Sequence, residues 1–319
     1  MYLVAASTIS HQPTFKKSGY SLRLKKLNKS SNLIHPDYSL IIPANKRRRM
    51  SEAIKMSIAC TVDVLEQGSI AQPDAIMVGT GHGCSHFTKT FLDKISASEN
   101  SAISPSSFML STHNTMAGQI SLYLKNHNYN MTHTHNSLSF EYALLDGILS
   151  IREGCDNVLV GGVEEDESLL FNMRARLQMR DVHVTGSASF FLLAKEAPRS
   201  RAIRLVDVSC QVHIPSNIRL VMDFLQSHNI SAHNIHAVLY ATFDDIFQQD
   251  LTSQFSGSHI IDYQELSGVH FTSSAFALGY ALDIASVSYP QYSGTDSKGI
   301  LICNNMIKSH LGLVLVDIS

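Results

Sequence analysis

The chain of 319 residues is 44% hydrophobic and 16% charged, with a formal net charge of −2 and a mean hydropathy of +0.02. That length exceeds one ordinary domain, and the balance gives ample core but no electrostatic footprint for nucleic acid or an anionic membrane. So sparse a charge suits a chain whose exterior is partly covered by a partner. In chain order, residues 16–49 are polar and aperiodic, punctuated by Pro36 and Pro43, and read as loop or covering structure. The run Lys46-Arg47-Arg48-Arg49 reads as a solvated helix start, since no second basic cluster reinforces it. Helices are expected over 51–67, 116–126, 139–152, 217–228 and 273–286. Strands are expected over 75–78, 157–160, 189–193, 237–240, 299–303 and 312–317. Within 139–152 the apolar residues Phe140, Ala143, Leu144, Gly147, Ile148 and Ile151 fall at helical spacing with few charges, so that helix should be largely buried. Strands alternating with helices argue for an α/β protein. Cys60, Cys84, Cys155, Cys210 and Cys303 have no paired spacing and read as reduced thiols. No apolar run reaches the ~20 residues that span a bilayer, and the N-terminus lacks the flank and apolar run of a signal peptide. A cytoplasmic protein is expected, with no membrane or nucleic-acid partner.

Candidate chemistry is thin. Gly79-Thr-Gly-His-Gly83 follows a predicted strand but has neither dinucleotide-binding nor Walker spacing, and Ser85-His-Phe continues it poorly as a helix, so a tight turn is expected. His82 and His86 lie four apart and His133 and His135 flank Thr134, yet only Cys84 stands nearby as a further ligand type. No metal and no cofactor are expected. Ser137 and Ser139 could be nucleophiles, but no Gly-x-Ser-x-Gly elbow surrounds them, and a serine at a helix start is far more often an N-cap. Glu141 stands about where a capping-box partner would. Cys84 is another candidate nucleophile, and its neighbour His86 is too close in sequence to decide.

Residues 132–146, Thr-His-Thr-His-Asn-Ser-Leu-Ser-Phe-Glu-Tyr-Ala-Leu-Leu-Asp, followed by Asn157-Val-Leu-Val-Gly-Gly-Val-Glu-Glu165, resemble the nucleophile elbow of the β-ketoacyl synthases. In that family a cysteine at the mouth of a buried helix precedes a Gly-Gly-x-Glu strand. Other stretches keep the family's order over roughly residues 40–319. Ile103-Ser-Pro-Ser-Ser-Phe-Met-Leu-Ser-Thr-His-Asn-Thr-Met-Ala-Gly-Gln-Ile120 is similar to its Pro-x-x-Phe and Ala-Gly-Gln-Ile segment. Gly186-Ser-Ala-Ser-Phe-Phe-Leu-Leu-Ala194 resembles the Gly-x-Ala turn and its strand. Ser267-Gly-Val-His-Phe-Thr-Ser-Ser-Ala-Phe-Ala-Leu278 resembles the helix that carries the second active-site histidine, which maps to His270.

The resemblance implies a thiolase-type duplicated α/β/α/β/α sandwich, with halves 1–197 and 198–319 about a turn-like joint at 197–200. It also implies lost chemistry. Counting back from Gly161-Gly162 places the nucleophile slot at Asn136 or Ser137, neither of them cysteine. The loop that carries the family's first histidine corresponds to Ala241-Thr-Phe-Asp-Asp245, and Phe276 replaces the glycine of the last helix motif. Only His270 remains of the cysteine and two histidines, which cannot support condensation. The pattern resembles the chain-length factors, and more specifically the compact ketosynthase-like proteins of aryl polyene and flexirubin-type pathways. That implies a non-catalytic subunit that forms a heterodimer with an active ketosynthase, meets acyl carrier protein through the complex, and completes an acyl tunnel whose volume sets chain length. Phe108, Met109, Met116 and Phe140 are the expected tunnel residues, each equally readable as core. Ser111, Thr112, His113, Asn114, Thr115, Ala117 and Gln119 are expected at the dimer interface. Two alternatives stay open: a divergent condensing or acyltransfer enzyme using Ser137 or Cys84 with His270, and a homodimeric acyl-binding scaffold.

Overall fold

A computed structural model of the protein describes residues 1–97, 105–166, 183–197, 203–212, 217–292 and 299–318, with side chains in the last long helix described as far as residue 287. Residues 103–104 of the resemblance and 198–200 of the expected joint lie outside them. The first half carries β1 (Tyr2–Ile9), α1 (Ala44–Arg47), α2 (Glu52–Gly68), β2 (Ala75–Gly79), α3 (Ser85–Ala97), α4 (Pro105–Leu110), α5 (Thr115–Leu124), β3 (Tyr129–His133), α6 (Ser139–Arg152), β4 (Asn157–Glu164) and β5 (Ser187–Ala194). The second carries β6 (Ile203–Val212), α7 (Ile218–Ser227), β7 (Ile235–Thr242), α8 (Asp245–Gln254), β8 (His259–Asp262), α9 (Gln264–Ser267), α10 (Ser273–Tyr292), β9 (Gly299–Asn305) and β10 (His310–Asp317).

The strands run in the order β3-β2-β4-β5-β1-β6-β10-β9-β7-β8. This order is a palindrome of two five-stranded sets. Parallel β3/β2/β4 match parallel β8/β7/β9, and antiparallel β4/β5/β1 match antiparallel β9/β10/β6. The sets meet at a short β1/β6 ladder, Tyr2↔Arg204 and Leu3↔Ile203. α6 and α10 pack between them, touching strands of both sets. The central core joins Met77, Val160 and Leu193 of the first set to Leu239, Ile302 and Val314 of the second. The opposite strand faces point outward: Ile76, Leu159 and Phe190 onto α2 and α5, and Val238, Leu301 and Leu313 onto α7 and α8. Period-two alternation, buried on both sides, therefore produces the duplicated α/β/α/β/α sandwich.

α6 lies flat on the sheet because Gly147 has no side chain, where a Cβ would stand 2.6 Å from Val160 Cγ2. Its Glu141 is no capping-box partner. α6 has no side-chain cap, and Glu141 is turned inward with no exposed surface. Nor does Ser85-His-Phe fail as a helix. α3 starts there, its first turn capped by a carboxylate distant in sequence: Glu165 Oε2 accepts from His86 N at 2.7 Å and from Ser85 Oγ at 2.9 Å. Among the described residues no helix is long and apolar enough to cross a membrane.

Candidate functional site

Between β3 and α6 the chain turns through Asn136, whose φ is +51°. A side chain held at positive φ between a strand and a buried helix is the backbone form of a nucleophile elbow, and asparagine tolerates it better than most residues. Several contacts fix the turn. Ser139 Oγ accepts from His135 N at 2.9 Å and donates to Asn136 O at 2.7 Å. β2 ends at Gly79 against the same backbone, where a Cβ would stand 2.4 Å from Ser139 O. Asn136 is exposed at the tip, whereas Ser137 is buried and its Oγ makes no hydrogen bond. Beside the turn, His133 Nε2 meets Asp146 at 2.9 Å and His135 stacks on Tyr142 at 4.0 Å. The Gly79–Gly83 turn is anchored by Glu164, which accepts from the amides of Gly81 and His82. These bonds and one from Gly83 N–H to Thr80 Oγ1 at 3.0 Å hold the segment as a tight bend after β2.

His270 is buried with both ring nitrogens engaged: Thr185 Oγ1 lies 3.0 Å from Nδ1 and Ser187 Oγ 2.6 Å from Nε2. The Thr185 hydroxyl donates its one proton to Ser267 O at 2.7 Å, so it accepts from Nδ1–H, which leaves Nε2 accepting from Ser187. Burial, reinforced by nearby His11, pushes the imidazole pKa down to about 3. It is a neutral ring whose lone pair is already used. The segment after β7, where the family's first histidine lies, serves as a helix cap instead. Asp244 accepts from Ile246 N at 3.1 Å and Phe247 N at 3.4 Å, and Thr242 Oγ1 donates to Asn305 Oδ1 at 2.9 Å.

Cys84 is fully buried, with Ser51 Oγ at 3.1 Å and Glu165 Oε1 at 3.8 Å. Burial and the Glu165 carboxylate push the thiol up to about 12, so it stays protonated and a poor nucleophile. Cys84 and His270 are thus held by other neighbours and Ser137 Oγ bonds to neither, so the three form no nucleophile–base pair. Incubation with an acyl thioester should leave the intact mass unchanged; a stoichiometric adduct mapped to residues 132–146 or Cys84 would contradict this chemistry. Among the described residues, no group of three His, Cys, Asp or Glu side chains could hold a metal ion.

The expected tunnel residues divide into two pairs. Phe140 is fully buried, its ring centroid 5.7 Å from that of Phe191, and Met116 is fully buried in the α2–α5 core. Phe108 and Met109 on α4 are 57% and 66% exposed. The expected interface residues also divide. Thr115 and Ala117 face the chain's own interior, Ser111, Thr112 and Gln119 are half-buried, and His113 and Asn114 are exposed. What the sequence reading missed is the sheet edge. β3 is the outermost strand beside β2 and leaves Tyr129 50% and Met131 39% exposed, with Leu122 of α5 69% exposed. The signal was the alternation Tyr129, Met131, His133, masked by the polar residues between them.

The model of the beta-ketoacyl synthase N-terminal domain matches residues 25–202, and the chain belongs to that family. Solved structures agree over the whole length. A chain of the ishigamide ketosynthase/chain length factor is 14% identical with a TM-score of 0.81, covering 99% of this chain and 98% of that one. A chain of the ketosynthase ApeO in complex with its chain length factor ApeC from Xenorhabdus doucetiae is 12% identical with a TM-score of 0.75, covering 100% and 98%. A beta-ketoacyl synthase from Burkholderia phymatum STM815 is 12% identical with a TM-score of 0.77, covering 99% and 98%. At these identities the likeness is one of fold. No curated protein matches the chain.

Proposed function

We propose that the chain is a chain-length factor: a catalytically inert ketosynthase homologue that pairs with an active ketosynthase in polyketide or aryl polyene synthesis in the cytoplasm. The observation that carries this reading is a strand–turn–helix elbow, fixed by Ser139 and centred on Asn136, which is held at positive φ and whose exposed side chain has no nucleophilic group. We assign the nucleophile slot to Asn136 and not Ser137, because it is the exposed residue at the turn. Structures of similar fold described as ketosynthase and chain length factor support the pairing. So does the edge strand β3, whose outer edge meets no further strand among the described residues and whose exposed apolar side chains favour coverage by a partner. Acyl carrier protein would reach this chain through the complex, and halves 1–197 and 198–319 would act as one body around the shared central core. The occupied nitrogens of His270 and the protonated Cys84 weigh against an independent condensing enzyme.

Within this reading Phe108 and Met109 are the tunnel candidates that face outward, and Phe140 and Met116 can act only from behind the tunnel wall. Phe108→Ala and Met109→Ala each remove several carbon atoms of volume from an exposed surface. The pair reconstituted with its ketosynthase and carrier protein should then release products longer by one or two condensation cycles, read by mass spectrometry. An unaltered product distribution from both variants, with the heterodimer intact, would remove α4 as the ruler.

A further inference from the structure

Glu141 is a carboxyl group on the first turn of α6 with no exposed surface. Its Oε1 accepts from Asn304 Nδ2 at 2.7 Å, and the same amide donates to the carbonyl of Ser137 at 2.6 Å. Asn304 lies on β9, so one side chain ties the elbow turn and α6 to the opposite half of the molecule. β10 makes room for this bridge at Gly312, where a Cβ would stand 2.8 Å from Glu141 Oε1 and 2.9 Å from Leu138 Cδ2. The second oxygen, Oε2, reaches no partner in hydrogen-bonding geometry, and neither do the buried hydroxyls of Ser137 and Ser274. Ser274 nonetheless faces the carboxyl group and, with Asn304, acts to lower its pKa. The titratable groups around it are Cys210 on β6 and Tyr263 ahead of α9, with Asp262 and Cys303 acting on Tyr263; among the described residues no basic group acts on Glu141. Burial outweighs the lowering influence of Asn304, of the nearby Ser274 hydroxyl and of the residue's own backbone, and raises the pKa to about 7. An anion there would be dehydrated, with the Asn304 amide as its well-formed side-chain hydrogen bond, whereas the acid form has a proton to give a neighbouring hydroxyl.

We propose that Glu141 in its acid form is a positioning residue, which together with Asn304 locks the Asn136 turn in the conformation presented to the partner. The presentation rests on the chain-length-factor reading; the lock itself does not. Its pH dependence has a defined sign. The locked carboxyl holds its proton more tightly than a hydrated one in an opened turn would. The lock is therefore complete at low pH, weakens as pH rises from the ordinary glutamate range, and changes no further above about pH 7.

Amide hydrogen exchange over residues 135–139 of the isolated chain, corrected for intrinsic rates, reads the lock directly. Opening should increase about tenfold per pH unit between about pH 5 and 7 and then level off. Glu141→Gln keeps an acceptor for Asn304 without a titratable proton and should abolish that slope. Asn304→Leu removes the bridge and should give fast exchange at every pH. Protection that is independent of pH in the unaltered chain, or a Glu141→Gln variant with the same slope, would overturn the lock. Affinity for the ketosynthase should follow the same profile and lose it in Glu141→Gln; identical affinity profiles for the two proteins would overturn the role in presentation. Absence of ketosynthase binding at every pH, with the exchange profile as expected, would instead count against the chain-length-factor reading and uphold the lock.

Discussion

If the chain pairs with a ketosynthase as proposed, replacing Met131 with Asp should weaken that association by about two to four orders of magnitude while leaving the isolated chain folded. Met131 is 39% exposed on the edge strand β3 and shares its face with Tyr129, 50% exposed. Obligate pairs of such chains bury about 2,000 Å² or more, mostly apolar at the centre. A carboxylate introduced there would be dehydrated without a counter-charge, at a cost of about 3–5 kcal/mol, which converts to that loss in affinity. In the free chain the same group is solvated, so thermal unfolding should shift little. Ala117→Arg would not make the same test. Ala117 has no exposed surface and packs with Met116 and Ile120 against α2, so a charge there attacks the fold before it reaches any interface. Titration by light scattering or calorimetry checks the first variant; unchanged affinity would move the interface away from β3.

Phe140→Ala should lower the unfolding free energy by about 3–5 kcal/mol, as other large aromatic truncations in sealed cores do. Phe140 has no exposed surface, packs near Phe191 across the central core, and lies where a Cβ on Gly162 would already come within 3.2 Å of its Cδ2. The surrounding strands belong to a tightly packed sheet and cannot collapse far into the space. The exposed Phe108→Ala should change stability by less than about 0.5 kcal/mol. Denaturant unfolding of both variants makes the comparison. If Phe140→Ala left stability intact and lengthened the product, Phe140 would face an open tunnel and not a closed core.

How legible the molecule was in its sequence depended on burial. The strands buried on both faces, β2, β4, β5, β7, β9 and β10, stand out as apolar runs, and α6 is bounded as its periodicity predicts. β3 and β8 do not stand out, because edge strands carry polar residues such as Asn130, Thr132 and Asp262. β6 is disguised by Arg204 and Asp207, the first paired with Asp317 at 3.1 Å and the second with His228 at 3.1 Å, pairings that sequence cannot show. α3 was missed because its cap, Glu165, is supplied from the residue that follows β4. At the elbow, spacing left Asn136 and Ser137 equivalent, and only the backbone angle and exposure separate them. Glu141 read as a capping residue, though it shares the helix stripe of Leu144 and Ile148, and a charge within a buried stripe was the available sign of an inward role.

The most direct test of the central claim is co-expression of this chain with an intact Cys-His-His ketosynthase from the same genome, followed by native mass spectrometry and a condensation assay on the purified species. A one-to-one heterodimer is expected, with acyl label on the ketosynthase cysteine only and chain elongation that requires both subunits. A chain that purifies alone as a homodimer while the ketosynthase elongates fully without it, or one that carries acyl label itself, would contradict the account.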